Sequence, residues 1–163
     1  MKHIYTFFCL FLLSGVASAD NVIVGAFGQK LGAVVDEKLE FVTDLNSGAL
    51  RYKFKPDKLY PMFTYYSVHV TPVSKRIYLI NMVGDIGVNR CKEELKILDV
   101  VLKQKYPTLH RSVDQETITF EESDKSRMIR TYCSGMLHLF YRDNALKKLI
   151  LEEKASLVDK SNF

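Results

Sequence analysis

Apolar residues recur at steps of three and four between positions 89 and 106, which is the period of an α-helix. The expected buried stripe consists of Cys91, Leu95, Leu98, Leu102 and Tyr106. Ile97 and Val101 widen this stripe to the breadth expected of a helix that lies across a sheet. The lysines on the opposite side are expected to face solvent. The pattern therefore predicts one main amphipathic helix over residues 89–106.

Both ends of this helix carry recognisable signals. Asn89 belongs to the residue types that cap helix N-termini. Pro107 ends the helix, because the residue before a proline is disfavoured in helical geometry. Within the helix, Asp99 and Lys103 have the i,i+4 spacing of an ion pair, which stabilises a helix by a few tenths of a kcal/mol.

Strand patterns flank the helix on both sides. Alternating or continuous apolar residues predict strands at 39–43, 50–55, 63–70 and 76–83 before the helix, and at 117–121, 127–133 and 136–141 after it. The segment 76–83 is apolar on both faces and is expected to be central. The segment 108–116 is polar and is expected to be a connection. This order predicts an α+β fold in which the 89–106 helix packs across a mostly antiparallel sheet.

The first and last segments of the domain have less regular patterns. Residues 21–35 contain three glycines and are interpreted as an irregular lead-in or edge strand, with Phe27 and Leu31 packed into the core. For residues 144–157, a helix capped at Asp143 or Asn144 and a strand over 146–151 both fit the pattern. We favour the C-terminal helix.

The first nineteen residues have the features of an export signal. Lys2 supplies a positive charge, residues 4–13 are apolar, and the small residues 17–19 form a cleavage site. The apolar run is short for a membrane-spanning helix, and no second run follows it. We expect residues 1–19 to be removed, leaving no transmembrane segment. Residues 20–163 then form a single domain in the periplasm or outside the cell.

Cleavage of the leader also changes the cysteine count, because Cys9 lies within it. Cys91 and Cys133 remain, and in an exported protein this pair predicts a disulfide bond. Closing that loop stabilises the fold by about 4 kcal/mol in the chain-entropy model. A metal site and a catalytic thiol are the alternatives, although two cysteines without matching histidines make a poor zinc site.

Short motifs with known chemistry are absent from the sequence. We find no HExxH, CxxC, GxSxG, Walker or dinucleotide-binding pattern. His69, His110 and His138 are interpreted as strand-face or surface residues, and Glu121 and Glu122 point to opposite faces of one strand. We therefore predict no catalytic residue, cofactor or metal. A small hydrolase with a site assembled only in space stays open as the alternative.

Basic residues are concentrated on one predicted strand and the loop after it. The formal net charge of +4 is too mild to indicate nucleic-acid binding. A basic strand face next to aromatic residues is a candidate surface for an acidic partner, a glycan or an anionic membrane surface. The candidate residues are Arg51, Lys53, Lys55, Lys58 and Tyr65. A solvated strand face that discourages edge aggregation is the alternative reading.

Several short motifs resemble small exported bacterial proteins that carry no assigned activity. They are FGxxLG at 27–32, YxVxVTP at 66–72, RIYxI at 76–80, the helix-start Cys91, and Cys133 followed by LxLxY at 137–141 and Asp143. The resemblance implies a periplasmic or secreted protein and gives no mechanism. We therefore expect a non-enzymatic protein that binds an unknown protein or envelope component. An inhibitor or immunity protein is one specific form.

Overall fold

The computed structural model describes residues 22–161, so the predicted export signal lies outside the described residues. The strands are β1 (Gly25–Ala26), β2 (Gln29–Lys30), β3 (Glu40–Asp44), β4 (Leu50–Lys53), β5 (Tyr65–Val70), β6 (Ile77–Gly84), β7 (His110–Asp114), β8 (Thr117–Glu121), β9 (Arg127–Ser134) and β10 (Met136–Asp143). The helices are α1 (Val88–Lys105) and α2 (Asn144–Ser161). The predicted α+β class is confirmed.

Eight of the strands form one antiparallel sheet in the order β3-β4-β5-β6-β10-β9-β8-β7. Each half is a meander of four consecutive strands followed by a helix. The two halves meet where β6 pairs with β10, from Leu137 opposite Gly84 to Arg142 opposite Leu79. The predicted central position of the apolar segment at 76–83 is therefore correct, because β6 is one of the two middle strands.

Helix α1 lies on one face of the sheet and contacts β9 and β10. All five residues of the predicted stripe are buried. The predicted widening of the stripe is wrong, since Ile97 is 48% and Val101 44% exposed. Because α1 contacts only β9 and β10 among the strands with several contacts, only one line of its residues packs against the sheet. Ile97 and Val101 lie outside that line.

Two local predictions about α1 are also wrong. The helix begins at Val88, after Gly87, and Asn89 is its second residue, not its cap. Gly87 has φ 74°, a conformation that glycine adopts without steric cost, and its carbonyl accepts a hydrogen bond from the N–H of Cys91. Asp99 pairs with Arg111 on β7 at 2.7 Å, and not with Lys103. A strand that lies beside the helix thus supplies the stronger partner.

The predicted cysteine pair joins α1 to the second half of the sheet. The sulfur atoms of Cys91 and Cys133 form a disulfide, with Cα atoms 6.0 Å apart. Cys91 is in the first turn of α1, and Cys133 is near the end of β9. The bond therefore fixes the start of the helix over the sheet.

Residues 22–35 cover the part of the core face that α1 does not reach. Ile23 and Leu31 are buried in the same core as α1, and Phe27 packs against that core, as predicted. The N–H of Ile23 donates to the carboxylate of Glu122 at 2.8 Å, and its C=O accepts from the guanidinium of Arg127 at 2.9 Å. The segment with the short β1–β2 hairpin is therefore fastened by side chains at Ile23 and by backbone hydrogen bonds of Gly32 and Ala33 to Ile77 at the start of β6.

The segment 108–116 is not a plain connection, because it contains β7. This strand pairs with β8 at the edge of the sheet. Its single large apolar residue, Val113, is 51% exposed. An edge strand without a buried face lacks the alternation that predicts strands. Polarity alone therefore led to the wrong assignment.

Helix α2 packs on the face of the sheet opposite α1, and it confirms the favoured C-terminal helix. Its small apolar cluster joins Ala49, Tyr78 and Ile150, with Leu79 packed against them. The carboxylate of Asp143 accepts the N–H of Leu146 at 3.0 Å, which is the bond expected of a capping residue. This cluster covers only one end of that face.

Candidate functional site

The face of the sheet opposite α1 has a different character from the core face. Along β5, Tyr66, Val68 and Val70 belong to the core under α1, so Ser67 and His69 point the other way. We call this second side of the sheet the open face, because α2 covers only one end of it. Its side chains alternate with the core residues on the middle strands β5, β6 and β10.

A groove of about 610 Å³ runs across the open face from β4 to β9. Its walls combine basic, amide and aromatic groups with a few aliphatic ones. The lining residues are Arg51, Thr64, Tyr65, His69, Leu79, Asn81, Val83, Asp85, Tyr132, Met136, His138 and Phe140. Leu79 also packs against the α2 cluster, so the helix lies next to one end of the groove.

Three neighbouring side chains at the β4–β5 end of the open face have polar atoms without partners. They are Nε of Arg51, Oγ of Ser67 and Nε2 of His69, all buried and without a hydrogen-bond partner within residues 22–161. Arg51 stands directly opposite His69 in the strand register. Ser67 is two residues from His69 on the same side of β5, and it is fully buried. We call these three residues the polar corner.

Burial controls the charge of the polar corner. Desolvation, together with the nearby Arg51 guanidinium, lowers the pKa of His69 from 6.5 to about 4. The imidazole is therefore neutral at pH 7, with one nitrogen as a donor and the other as an acceptor. Its ring also lies edge-on to Tyr78, with centroids 6.1 Å apart. The positive charge of this corner thus resides on Arg51.

Aromatic rings and arginines occupy the β9–β10 side of the open face. The rings of Tyr132 and His138 are stacked, with centroids 4.6 Å apart and planes inclined by 6°. Phe140 lies between two guanidinium groups, at 6.0 Å from Arg130 and 5.8 Å from Arg142. Burial and the neighbouring Arg130 lower the pKa of Arg142. These contacts hold flat side chains in fixed orientations beside the groove.

The structure brings together only part of the predicted basic surface. Arg51 and Tyr65 line the groove, and Lys53 is on the same face opposite Ser67. Lys55 is exposed beyond the end of β4. Lys58 lines a different cavity, with Phe27 and Gly28, on the side of the sheet that α1 covers. The loop after β4 therefore separates the predicted surface into two parts.

The sequence interpretation missed Ser67, Asn81, His138 and Phe140 as possible binding residues. A signal for them was present, since the alternation that places apolar residues on the core face places these on the other face. The sequence pattern does not show that α2 leaves these side chains uncovered. It therefore does not show that this face of the sheet is open to a ligand.

Serine–carboxylate pairs occur away from the groove. The hydroxyl of Ser74 donates to Glu153 at 2.5 Å, and that carboxylate also accepts the N–H of Val73, which ties α2 to the β5–β6 turn. Glu122 similarly accepts the hydroxyl of Ser126 and the N–H of Ile23. Both carboxylates are occupied by backbone donors. These pairs have the contacts of structural anchors.

The histidines do not form a pair. His69 is opposite Leu79 on β6, whereas His138 is opposite Val83, four residues along and one strand further across. Their backbones are therefore roughly 16 Å apart. Within residues 22–161, no histidine side chain bonds to a serine or an acid, and no group of three or more histidine, cysteine, aspartate or glutamate side chains is placed to hold a metal. The hydrolase alternative thus gains no supporting pair from the described part of the chain.

Comparisons with protein-family models, with curated proteins and with solved structures find no match. Neither of the two helices described is long and apolar enough to cross a membrane.

Proposed function

We propose that this protein is exported and acts without catalysis, by binding a partner protein in the groove of the open face. The observation that carries the proposal is the composition of that groove. Basic, aromatic and unpartnered polar groups share one concave surface in the middle of the sheet. Concave sites that combine apolar walls with a few convergent polar groups are typical binding sites.

The core face supports this reading by contrast. Helix α1 and residues 22–35 bury that face completely at the sheet centre, where Val68, Ile80 and Met82 are each 0% exposed. The open face at the same strands keeps half-exposed aromatic and polar side chains. Tyrosine and arginine are enriched at protein interfaces, where they supply large contact areas and directional hydrogen bonds.

The disulfide supports the export part of the proposal. Bonds of this kind persist in oxidising compartments and are rare in reducing ones. The bond between Cys91 and Cys133 is therefore what an exported protein of this size is expected to contain. The leader predicted at residues 1–19 points the same way, and its cleavage is a separate, directly measurable expectation. Mass spectrometry of the secreted or periplasmic protein would detect an N-terminus at Asp20.

A groove-filling substitution tests the binding role. Asn81 lines the groove on β6, so Asn81→Trp should fill it. Asn89→Trp is the matched control, because Asn89 is exposed on α1, on the other side of the sheet. Each protein is immobilised and exposed to native envelope and culture proteins, and the retained proteins are quantified by mass spectrometry.

The expected result is at least one protein that the wild type and Asn89→Trp retain and Asn81→Trp loses. Urea unfolding of the three proteins checks that the groove variant is folded. Retention that is the same for all three proteins, or no retention by any of them, would refute the proposal.

A further inference from the structure

We infer that the polar corner is a carboxylate-binding subsite, and that the groove receives an acidic segment of a partner protein. The inference rests on the proposed function and names the chemistry of the partner. Arg51 and His69, which line one end of the groove and stand opposite each other, each have a buried polar atom without a partner within residues 22–161, and so does Ser67 beside them on β5. A buried polar atom without a partner destabilises the fold, so a ligand group that bonds to it is favoured.

Arg51 is distinct among the arginines of residues 22–161, because its side chain alone makes no hydrogen bond or ion pair. The others are all engaged: Arg76 with Gly32, Arg90 with Glu94, Arg111 with Asp99, Arg127 with Asp143, Arg130 with Thr119 and Arg142 with Asn144. A guanidinium carries five donors in a planar fork that matches a carboxylate. A half-buried arginine without an acid is thus suited to receive one from another molecule.

The other two members supply the donors that complete such a site. Directly opposed residues on one face of a sheet have Cβ atoms about 5 Å apart, which places the His69 ring beside the Arg51 side chain. Ser67, next on the same side of β5, adds a hydroxyl that is able to donate. Lys53, opposite Ser67 on the same face, adds a second positive charge to this part of the sheet.

The remainder of the groove indicates that the acid belongs to a polypeptide. Beyond the polar corner the walls include Leu79, Val83 and Met136. These aliphatic groups suit the apolar side chains of a polypeptide. A segment in which acidic and apolar residues are neighbours fits both parts of the groove.

Histidine ring signals in NMR spectra give a direct readout of the subsite. The full chain is labelled with ring-15N histidine, and the His69 signals are assigned with His69→Gln. The probes at pH 7 are acetylated, amidated tetraglutamate and the matching tetraglutamine. We expect the His69 signals to move saturably with tetraglutamate, to respond at least about tenfold more weakly to tetraglutamine, and to titrate at a higher pH when tetraglutamate is bound. The exposed His110 is an internal control that should not move.

Charge-removing variants test the role of Arg51. Arg51→Gln should weaken tetraglutamate binding about tenfold or more, because a charge-assisted hydrogen bond to the carboxylate is lost. Lys103→Gln removes the same charge from the exposed side of α1 and should leave binding unchanged. Equal binding by wild type and Arg51→Gln would overturn the inference. Stronger shifts with inorganic phosphate or with tetraglucuronate would overturn it too, since the ligand would then be a different anion.

The capture experiment separates failure of this inference from failure of the proposed function. A protein whose retention depends on Asn81 but not on Arg51 would overturn the carboxylate subsite and leave the binding role. Saturable tetraglutamate binding at His69 without any retention that depends on Asn81 would overturn the proposed binding of a partner protein and leave the subsite. Retention that both Asn81→Trp and Arg51→Gln abolish supports both.

Discussion

The two faces of this sheet are built from the same strands but have opposite compositions. On β5 the core face carries Tyr66, Val68 and Val70, while the open face carries Ser67 and His69. The core face is closed by α1, by residues 22–35 and by a disulfide. Among residues 22–161, only α2 packs on the open face, and it closes one end. Stability is thus concentrated on one side of the sheet, which leaves the other side free to carry polar groups that a core would not tolerate.

Matched phenylalanines on the two faces test that division most directly. Phe120 on β8 is 1% exposed in the core under α1, whereas Phe140 on β10 lies on the open face between two arginines. We expect Phe120→Ala to lower the free energy of unfolding by roughly 3–5 kcal/mol, because it leaves a cavity. Phe140→Ala should cost only about 1 kcal/mol, since little area is returned to water. Urea titration followed by circular dichroism measures both, and equal losses would show that the open face is also part of the stabilising core.

The disulfide provides a second test of the core face. Replacing both Cys91 and Cys133 with alanine should lower the free energy of unfolding by about 4 kcal/mol, because the unfolded chain regains the freedom of the closed loop. Chemical reduction of the wild type is the control and should give a similar loss. Free thiols in the non-reduced protein, measured by mass spectrometry, would contradict the bond itself.

Lowering the pH should reduce the free energy of unfolding through the buried His69 of the open face. His69 has a folded pKa of about 4, below its ordinary value of 6.5, so the unfolded chain binds more protons between these pH values. The contribution of the neutral His69 to stability is therefore complete above pH 6.5. It falls as the pH drops towards 4, by at most roughly 3 kcal/mol. Arg51 on β4 and Tyr78 on β6 are the charged and titratable neighbours that face the ring.

His69→Gln should remove this part of the pH dependence and leave the remainder. The measurement is the urea midpoint at several pH values between 4 and 7, for the variant and the wild type. His138→Gln is the comparison, because burial lowers the pKa of His138 as well but this ring is more exposed. Parallel curves for wild type and His69→Gln would show that His69 does not titrate as a buried group.

The smallest expected effect lies where α1 meets β7. Asp99 binds Arg111 through two bonds of 2.7 Å, with both side chains partly covered, whereas Lys92 and Glu116 form a more exposed pair nearby. Asp99→Asn should cost roughly 1 kcal/mol and Glu116→Gln close to nothing, because water screens exposed pairs. Urea titration of the two variants gives the comparison. A larger loss for Glu116→Gln would reverse the order of importance assigned to these contacts.

The sequence predicted those features that depend on local periodicity. The stripe from Cys91 to Tyr106 and the strand at 117–121 were correct because burial imposes a regular spacing on apolar residues. Edge strand β7 was missed because it has no buried face. The partner of Asp99 was missed because a register between distant segments is not visible in spacing.

The candidate site was only partly predictable for the same reason. A basic strand containing Arg51 and Lys53 is visible in sequence, but the strands that come to lie beside it are not. The contribution of β10 to the groove follows from its pairing with β6, across α1 and three intervening strands. The extent of the open face depends on where α2 packs, which no local pattern specifies.

The β6–β10 pairing also has a consequence for how fast the chain folds. Within each half of the sheet, neighbouring strands are consecutive, so their turns close quickly. The pairing of β6 with β10 must instead close a loop that contains α1 and three strands, which is entropically slower. The disulfide joins the start of α1, just after β6, to the end of β9, just before β10. Once formed, it turns that distant closure into a local one, so an oxidised chain begins refolding with its two halves already held together.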